Sequence, residues 1–176
     1  KYNGEIGVIS LTSFCARINT VYITIESLLK HCDGYHVVLV LSSDEFPNKN
    51  GELPKTLLDL INDEKIEILW VKKNYKALKK VAFTAHKYKD VPIISADDDC
   101  LYTCNYADEL YKKSLEKPND VIRYNMYNKN NNWQYTQGPS TLYPPKYHSI
   151  IFEQILKDLE KNKIKDFMND DSIITN

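Results

Sequence analysis

Short apolar runs and longer amphipathic stretches follow one another along most of the chain. Ile6–Leu11 (IGVISL) is an apolar run closed by Thr12-Ser13, and it predicts a first strand. Ile18–Leu29 sets Ile18, Val21, Tyr22, Ile25, Leu28 and Leu29 on one helical face, with Asn19 or Thr20 near the start and Gly34 past the end. Tyr35–Leu41 (YHVVLVL) is apolar almost throughout, as expected of a strand covered on both faces. A polar loop from Ser42 to Leu53 follows, and Pro54 introduces a helix over Lys55–Asn62. Ile66–Val71 predicts a third strand. Lys76–Tyr88 predicts a helix with Leu78, Val81, Ala82 and Ala85 toward the sheet and its lysines outside. Val91–Ser95 is a fourth strand, Asn105–Glu116 a helix and Val121–Tyr127 a fifth strand. Asn128–Tyr147 is polar, aromatic and proline-rich, and reads as a long irregular segment of the functional or mobile kind. Helical spacing returns over Ser149–Asn162, and Asp170–Thr175 opens a last helix. Alternation of this kind implies βαβ units, an α/β class and a mostly parallel sheet flanked by helices.

Composition narrows the picture without changing it. The 176 residues suit one domain, and the hydrophobic 43% and charged 27% are those of a globular chain. A net charge of −1 argues against broad electrostatic capture of nucleic acid, which needs a basic field. No apolar run approaches the ~20 residues of a membrane helix. Cys15, Cys32, Cys100 and Cys104 lack C-x-x-C pairing and read as reduced thiols. With no signal peptide in view, the expected setting is the cytoplasm, including the inner face of the membrane. The chain opens on Lys1, so the expectation is a single domain truncated at the ends.

The chemistry gathers at Val91–Tyr102, VPIISADDDCLY. A buried strand runs straight into Asp97, Asp98 and Asp99, and adjacent carboxylates at such a place need compensation. An oxygen-preferring divalent cation would supply it, and ligands of open α/β sheets sit beyond the carboxyl ends of the strands. The competing use is an acidic turn capping the helix from Asn105. Thr12, Ser13 and Arg17 follow the first strand, and the Arg17 guanidinium suits a phosphate or base as well as a surface ion pair. Lys72, Lys73, Lys76, Lys79 and Lys80 follow the third strand, where a lysine meets phosphate or forms a solvated face. Asp170 and Asp171 are a second acidic pair, suited to a general base or to an N-cap. His148 is either a third metal ligand or a solvent-facing loop residue, while His31, His36 and His86 call for no special role. Trp133, Tyr135 and Tyr143 offer faces for an acceptor sugar, or plain packing.

Five stretches in order, SLTSFCARI (Ser10–Ile18), NYKALKK (Asn74–Lys80), ISADDDCLY (Ile94–Tyr102), LYPP (Leu142–Pro145) and NDDSI (Asn169–Ile173), resemble landmarks of small bacterial glycosyltransferase-like proteins of the GT-A, Rossmann-like fold. Asp97-Asp98-Asp99 would be their D-x-D motif. The resemblance implies a sugar transferred from a nucleotide-sugar donor, UDP-linked by expectation, to a hydroxyl of a polysaccharide, lipopolysaccharide or other glycan or lipid-linked acceptor, with peripheral membrane contact. It implies Mn²⁺ or Mg²⁺ on Asp99, with Asp97 toward the ribose or a metal-bound water and Lys79 or Lys80 toward phosphate. By the same likeness Asp170 or Asp171 would be the base of an inverting displacement. Rival expectations are a nucleotidyltransferase and a non-catalytic nucleotide-sugar-binding module. The first sits poorly with LTSFCARINT, which lacks the glycine-rich loop such enzymes commonly carry.

Overall fold

The fold is given by a computed structural model that describes residues 6–123, 128–129, 132–133 and 140–160. The strands are β1 (Gly7–Thr12), β2 (Tyr35–Ser42), β3 (Glu67–Val71), β4 (Ile93–Ser95), β5 (Ile122–Arg123), β6 (Asn128–Lys129), β7 (Asn132–Trp133) and β8 (Thr141–Tyr143). The helices are α1 (Val21–His31), α2 (Lys55–Asn62), α3 (Leu78–Lys87), α4 (Tyr106–Glu116) and α5 (His148–Glu160). A six-stranded sheet runs β3-β2-β1-β4-β8-β5, and β6-β7 form a separate pair. The first four strands of that order are parallel, and β8 is antiparallel to both of its neighbours.

Side chains on a strand alternate between faces, so an unbroken apolar run is stable only between two layers. Ile9, Leu11, Val37, Leu39, Leu41 and Ile94 pack beneath α1, α2 and α4. Val8, Val38, Val40 and Ile93 point the other way, onto Ala85 and Tyr88 at the α3 side. Within the sheet, β1 and the chain entering β4 approach tightly at Gly7, where an added Cβ would lie 2.8 Å from the Pro92 carbonyl oxygen. Only glycine fits that approach without a backbone shift.

The outer strand carries an acid that titrates far from its ordinary range. Burial pushes the Glu67 carboxyl up, but bonds from His36, Lys87 and Tyr88 outweigh it and hold the pKa at about 2. The Tyr88 hydroxyl donates to Glu67 Oε2 at 2.8 Å. A depressed carboxyl pKa stabilises the fold fully above the unfolded value and loses that contribution as pH falls through the folded one. The stability difference between wild type and Glu67→Gln should therefore shrink as pH falls from about 4.5 to about 2, starting from roughly 2–3 kcal/mol at neutral pH. Urea titrations across that range measure it. A difference that does not vary with pH would contradict the assignment.

The structure alters several expected elements. The first helix starts at Val21, after turns, and the third spans Leu78–Lys87. Lys79 and Lys80 are buried, against the expectation that the lysines lie outside. The expected fifth strand is described only at Ile122–Arg123, since residues 124–127 lie outside the described set. Within the stretch read as irregular, Thr141–Tyr143 is a strand inserted between β4 and β5. Three residues are too few to show a period, and the prolines that follow masked it.

Candidate active site

From β1 the chain passes through α1 to β2 on one side, whereas β4 joins β1 on the other. The order of strands reverses between β1 and β4, and open α/β sheets bind ligands just beyond the strand ends at such a point. The Ser95 that ends β4 faces Ser10, and the Ala96 amide continues the ladder by donating to the Ser10 carbonyl at 2.9 Å. Asp97, Asp98 and Asp99 follow at once, where the chain turns.

Lys80 answers Asp97, whereas Asp98 and Asp99 share Arg17. Lys80 Nζ donates to Asp97 Oδ1 at 2.7 Å. Asp98 is nearly enclosed: the Ser13 hydroxyl donates to its Oδ2 at 2.6 Å and Arg17 to its Oδ1 at 2.8 Å. The same Arg17 nitrogen lies 2.9 Å from Asp99 Oδ2, whose side chain is 53% exposed. The Asp98 hydrogen bond pushes the Arg17 guanidinium, always charged, further up. Backbone bonds hold the turn: the Thr24 hydroxyl is shared between the Asp98 and Cys100 carbonyls at 3.0 and 2.9 Å. The Asp97 amide donates to the Tyr102 hydroxyl at 3.0 Å. Capping of α4 belongs to Asn105, which accepts from the Asp108 amide, so the acids do not cap that helix.

Ligating atoms of Asp97, Asp99 and Cys100 lie within 4.8 Å of one another. Two oxygens across a Mg²⁺-sized ion lie about 4 Å apart, so the carboxylates fit a hard cation completed by water and phosphate. Cys100 suits it poorly. Burial, with Asp97 and Asp99 alongside, pushes its thiol up and keeps it protonated. Beside the acids opens a cleft of ≈ 270 Å³ lined by Arg17, Thr20, Ile23, Thr24 and residues 98–101.

Among the other expected site residues, Thr12 spends its hydroxyl on the Val40 carbonyl at 2.7 Å. Lys79, 2% exposed, is held by Asn74 Oδ1 at 3.1 Å and Glu45 Oε2 at 3.4 Å, and Ser42 also donates to Glu45. Burial pushes the Lys79 ammonium down, and Glu45 opposes that. Lys79 therefore braces the ends of β2 and β3, whereas Lys80 reaches the acids. His148 is buried, with its ring nitrogens 3.0 and 3.2 Å from the Tyr88 and Tyr143 carbonyls. That occupancy corrects both readings of His148, metal ligand and solvent-facing loop residue, because neither nitrogen is turned to a ligand. Tyr143 packs on Leu78, Val81, Ala82 and Ile151, which corrects its reading as a stacking platform. Asp170, Asp171 and Tyr135 lie outside the described residues, as does the side chain of Trp133. The sequence reading missed Thr24, Glu45 and Tyr102. Their one signal was a hydroxyl or carboxylate near a strand or helix end.

Neither a protein-family model nor a curated protein matches this sequence. Solved structures do. The glycosyltransferase GlyE of Streptococcus pneumoniae TIGR4 aligns over 98% of this chain and 43% of its own, with a TM-score of 0.60 and 16% identity. Its apo form aligns with a TM-score of 0.55 and 15% identity, over 98% of this chain and 42% of its own. The chain thus spans less than half the length of that glycosyltransferase. A 4-diphosphocytidyl-2C-methyl-D-erythritol synthase aligns over 97% of this chain and 84% of its own, with a TM-score of 0.53 and 8% identity. Among the described residues no helix is long and apolar enough to cross a membrane. At these identities the likeness is one of fold: the chain has a mixed α/β architecture, a mostly parallel sheet flanked by helices, shared with a glycosyltransferase and a diphosphocytidyl synthase.

Proposed function

We propose that this chain is the nucleotide-sugar-binding domain of a metal-dependent glycosyltransferase, acting on a hydroxyl of a glycan or lipid-linked acceptor. The observation that carries the reading is the meeting of Asp97, Asp98 and Asp99 with Arg17 and Lys80 at the strand-order reversal. Asp97 and Asp99 would hold Mn²⁺ or Mg²⁺, which supplies Lewis-acid charge against the departing diphosphate. Asp98, fixed by Ser13 and Arg17, keeps the turn that presents its two neighbours. Lys80 neutralises Asp97 and adds positive charge beside the phosphates. Asp170 or Asp171 is the proposed base that takes the acceptor proton in an inverting displacement.

Thermal unfolding with UDP, GDP or CDP, each with Mn²⁺ or with EDTA, tests this. Binding to the native state at 100 times Kd adds about 2.7 kcal/mol, or roughly 5–10 °C in a domain of this size. The expected result is a rise with one nucleotide diphosphate and Mn²⁺ together, followed by Mn²⁺-dependent hydrolysis of the matching nucleotide sugar. No rise with any of them would remove the reading. A second reading, nucleotidyl transfer, draws on the synthase likeness over 84% of that chain. Turnover of a nucleoside triphosphate rather than a nucleotide sugar would favour it. Binding without turnover of either would favour a non-catalytic module.

A further inference from the structure

Among the described residues the three adjacent carboxylates form ion pairs with Arg17 and Lys80, which are held differently, while the nearby Lys79 is paired with Glu45. Lys80 is buried against Asp97. Arg17 uses one nitrogen for two acids: its contact with Asp98 is 2.8 Å on a carboxylate 9% exposed, and its contact with Asp99 is 2.9 Å on one 53% exposed. Exposed ion pairs are worth little, while enclosed and hydrogen-bonded ones resist breaking. The guanidinium is thus anchored at Asp98 and only loosely attached at Asp99. It also lies over the Phe14 ring, 5.4 Å from its centroid, which gives it a resting contact independent of the acids.

Resting on the metal-dependent reading above, we infer that Arg17 is a built-in counter-ion which occupies Asp99 until a divalent ion and a diphosphate arrive together. The charges explain the pairing. With Arg17 and Lys80 in place the acids keep one net negative charge, which a divalent ion alone would reverse. A diphosphate bearing one charge on each phosphate restores the original balance. Arg17 gives up Asp99, keeps Asp98, and turns its free donors to the phosphate oxygens, a geometry guanidinium suits. Arg17 is therefore a positioning and coupling residue: it weakens metal binding alone and strengthens metal binding with the diphosphate. Such coupling is reciprocal, so the nucleotide gains from the metal by the same factor.

The test titrates the full chain with Mn²⁺, following the free aqueous ion by electron paramagnetic resonance, and then repeats the titration with UDP. Arg17→Gln should bind Mn²⁺ alone about tenfold more tightly than wild type, because one carboxylate is released to the ion. The same variant should lose most of the added Tm shift that UDP gives at saturating Mn²⁺. Lys72→Gln removes an equal charge from the exposed loop beyond β3 and should change Mn²⁺ affinity less than twofold. Unchanged or weaker Mn²⁺ binding by Arg17→Gln overturns the counter-ion role while leaving the metal site standing. An equal gain in Lys72→Gln also overturns it, since the effect would then be one of overall charge. If neither wild type nor variant binds Mn²⁺ with or without UDP, the metal-dependent reading fails and this inference falls with it.

Discussion

Asp99→Asn is expected to abolish the Mn²⁺-dependent rise in Tm with a nucleotide diphosphate and to leave the Tm of the free protein within a degree or two. The side chain is more than half exposed, and among the described residues its contacts are the half-exposed Arg17 at 2.9 Å and a long one from the Cys100 thiol at 4.0 Å. Surface substitutions of that kind stay within about ±0.5 kcal/mol. For catalysis the expected loss is large. A Lewis acid supplies several kcal/mol of transition-state stabilisation, so metal-dependent turnover should fall by roughly 10²–10³. Asp98→Ala should behave in the opposite way, lowering the Tm of the free protein because Ser13 and Arg17 lose a nearly enclosed acceptor. Scanning fluorimetry with and without Mn²⁺, beside a donor-hydrolysis assay, separates the two. A metal-dependent shift in Asp99→Asn equal to that of wild type would take Asp99 out of the site.

The largest stability change is expected at Lys79. Its side chain is 2% exposed and its ammonium pairs with Glu45, itself part-buried, so removing the charge strands a carboxylate. Breaking a buried pair from one side costs about 3–5 kcal/mol. Glu45 keeps the Ser42 hydroxyl at 2.8 Å and some exposure, which reduces the cost. Lys79→Met, close in volume, should destabilise by roughly 2–4 kcal/mol, or about 5–12 °C in Tm. Glu45→Gln in the same chain should recover part of that loss, since the stranded charge is then gone. Additive losses in the double variant would mean that the pair is not coupled. Metal binding should survive in Lys79→Met, because Lys80, not Lys79, reaches the acidic turn.

Much of the frame could be read from residue order alone. IGVISL, YHVVLVL and the run before Asp97 are apolar at consecutive positions, a pattern that only strands covered on both faces sustain. The helices between them fixed the crossovers, and with them the parallel sheet. The acids were legible for the same reason, as charge set directly against a buried strand end. Asn105, three residues before Asp108, even marked the start of α4.

Tertiary packing decided what local pattern left open. Lysines in a helix read as solvated because periodicity counts charge as exposure, yet α3 packs its first turn over two carboxylates and buries Lys79 and Lys80. His148 and Tyr143 carry no local mark of burial; only the fold of α5 onto α3 encloses them. Ser13 and Thr24 are ordinary hydroxyls until β1 and α1 meet a turn 85 and 74 residues away. The sequence by itself determined which elements form and that a charged cluster ends β4, because those follow from neighbours along the chain. Which cation answers each carboxylate was decided only in three dimensions, where folding brings charges distant in sequence within 3 Å of one another.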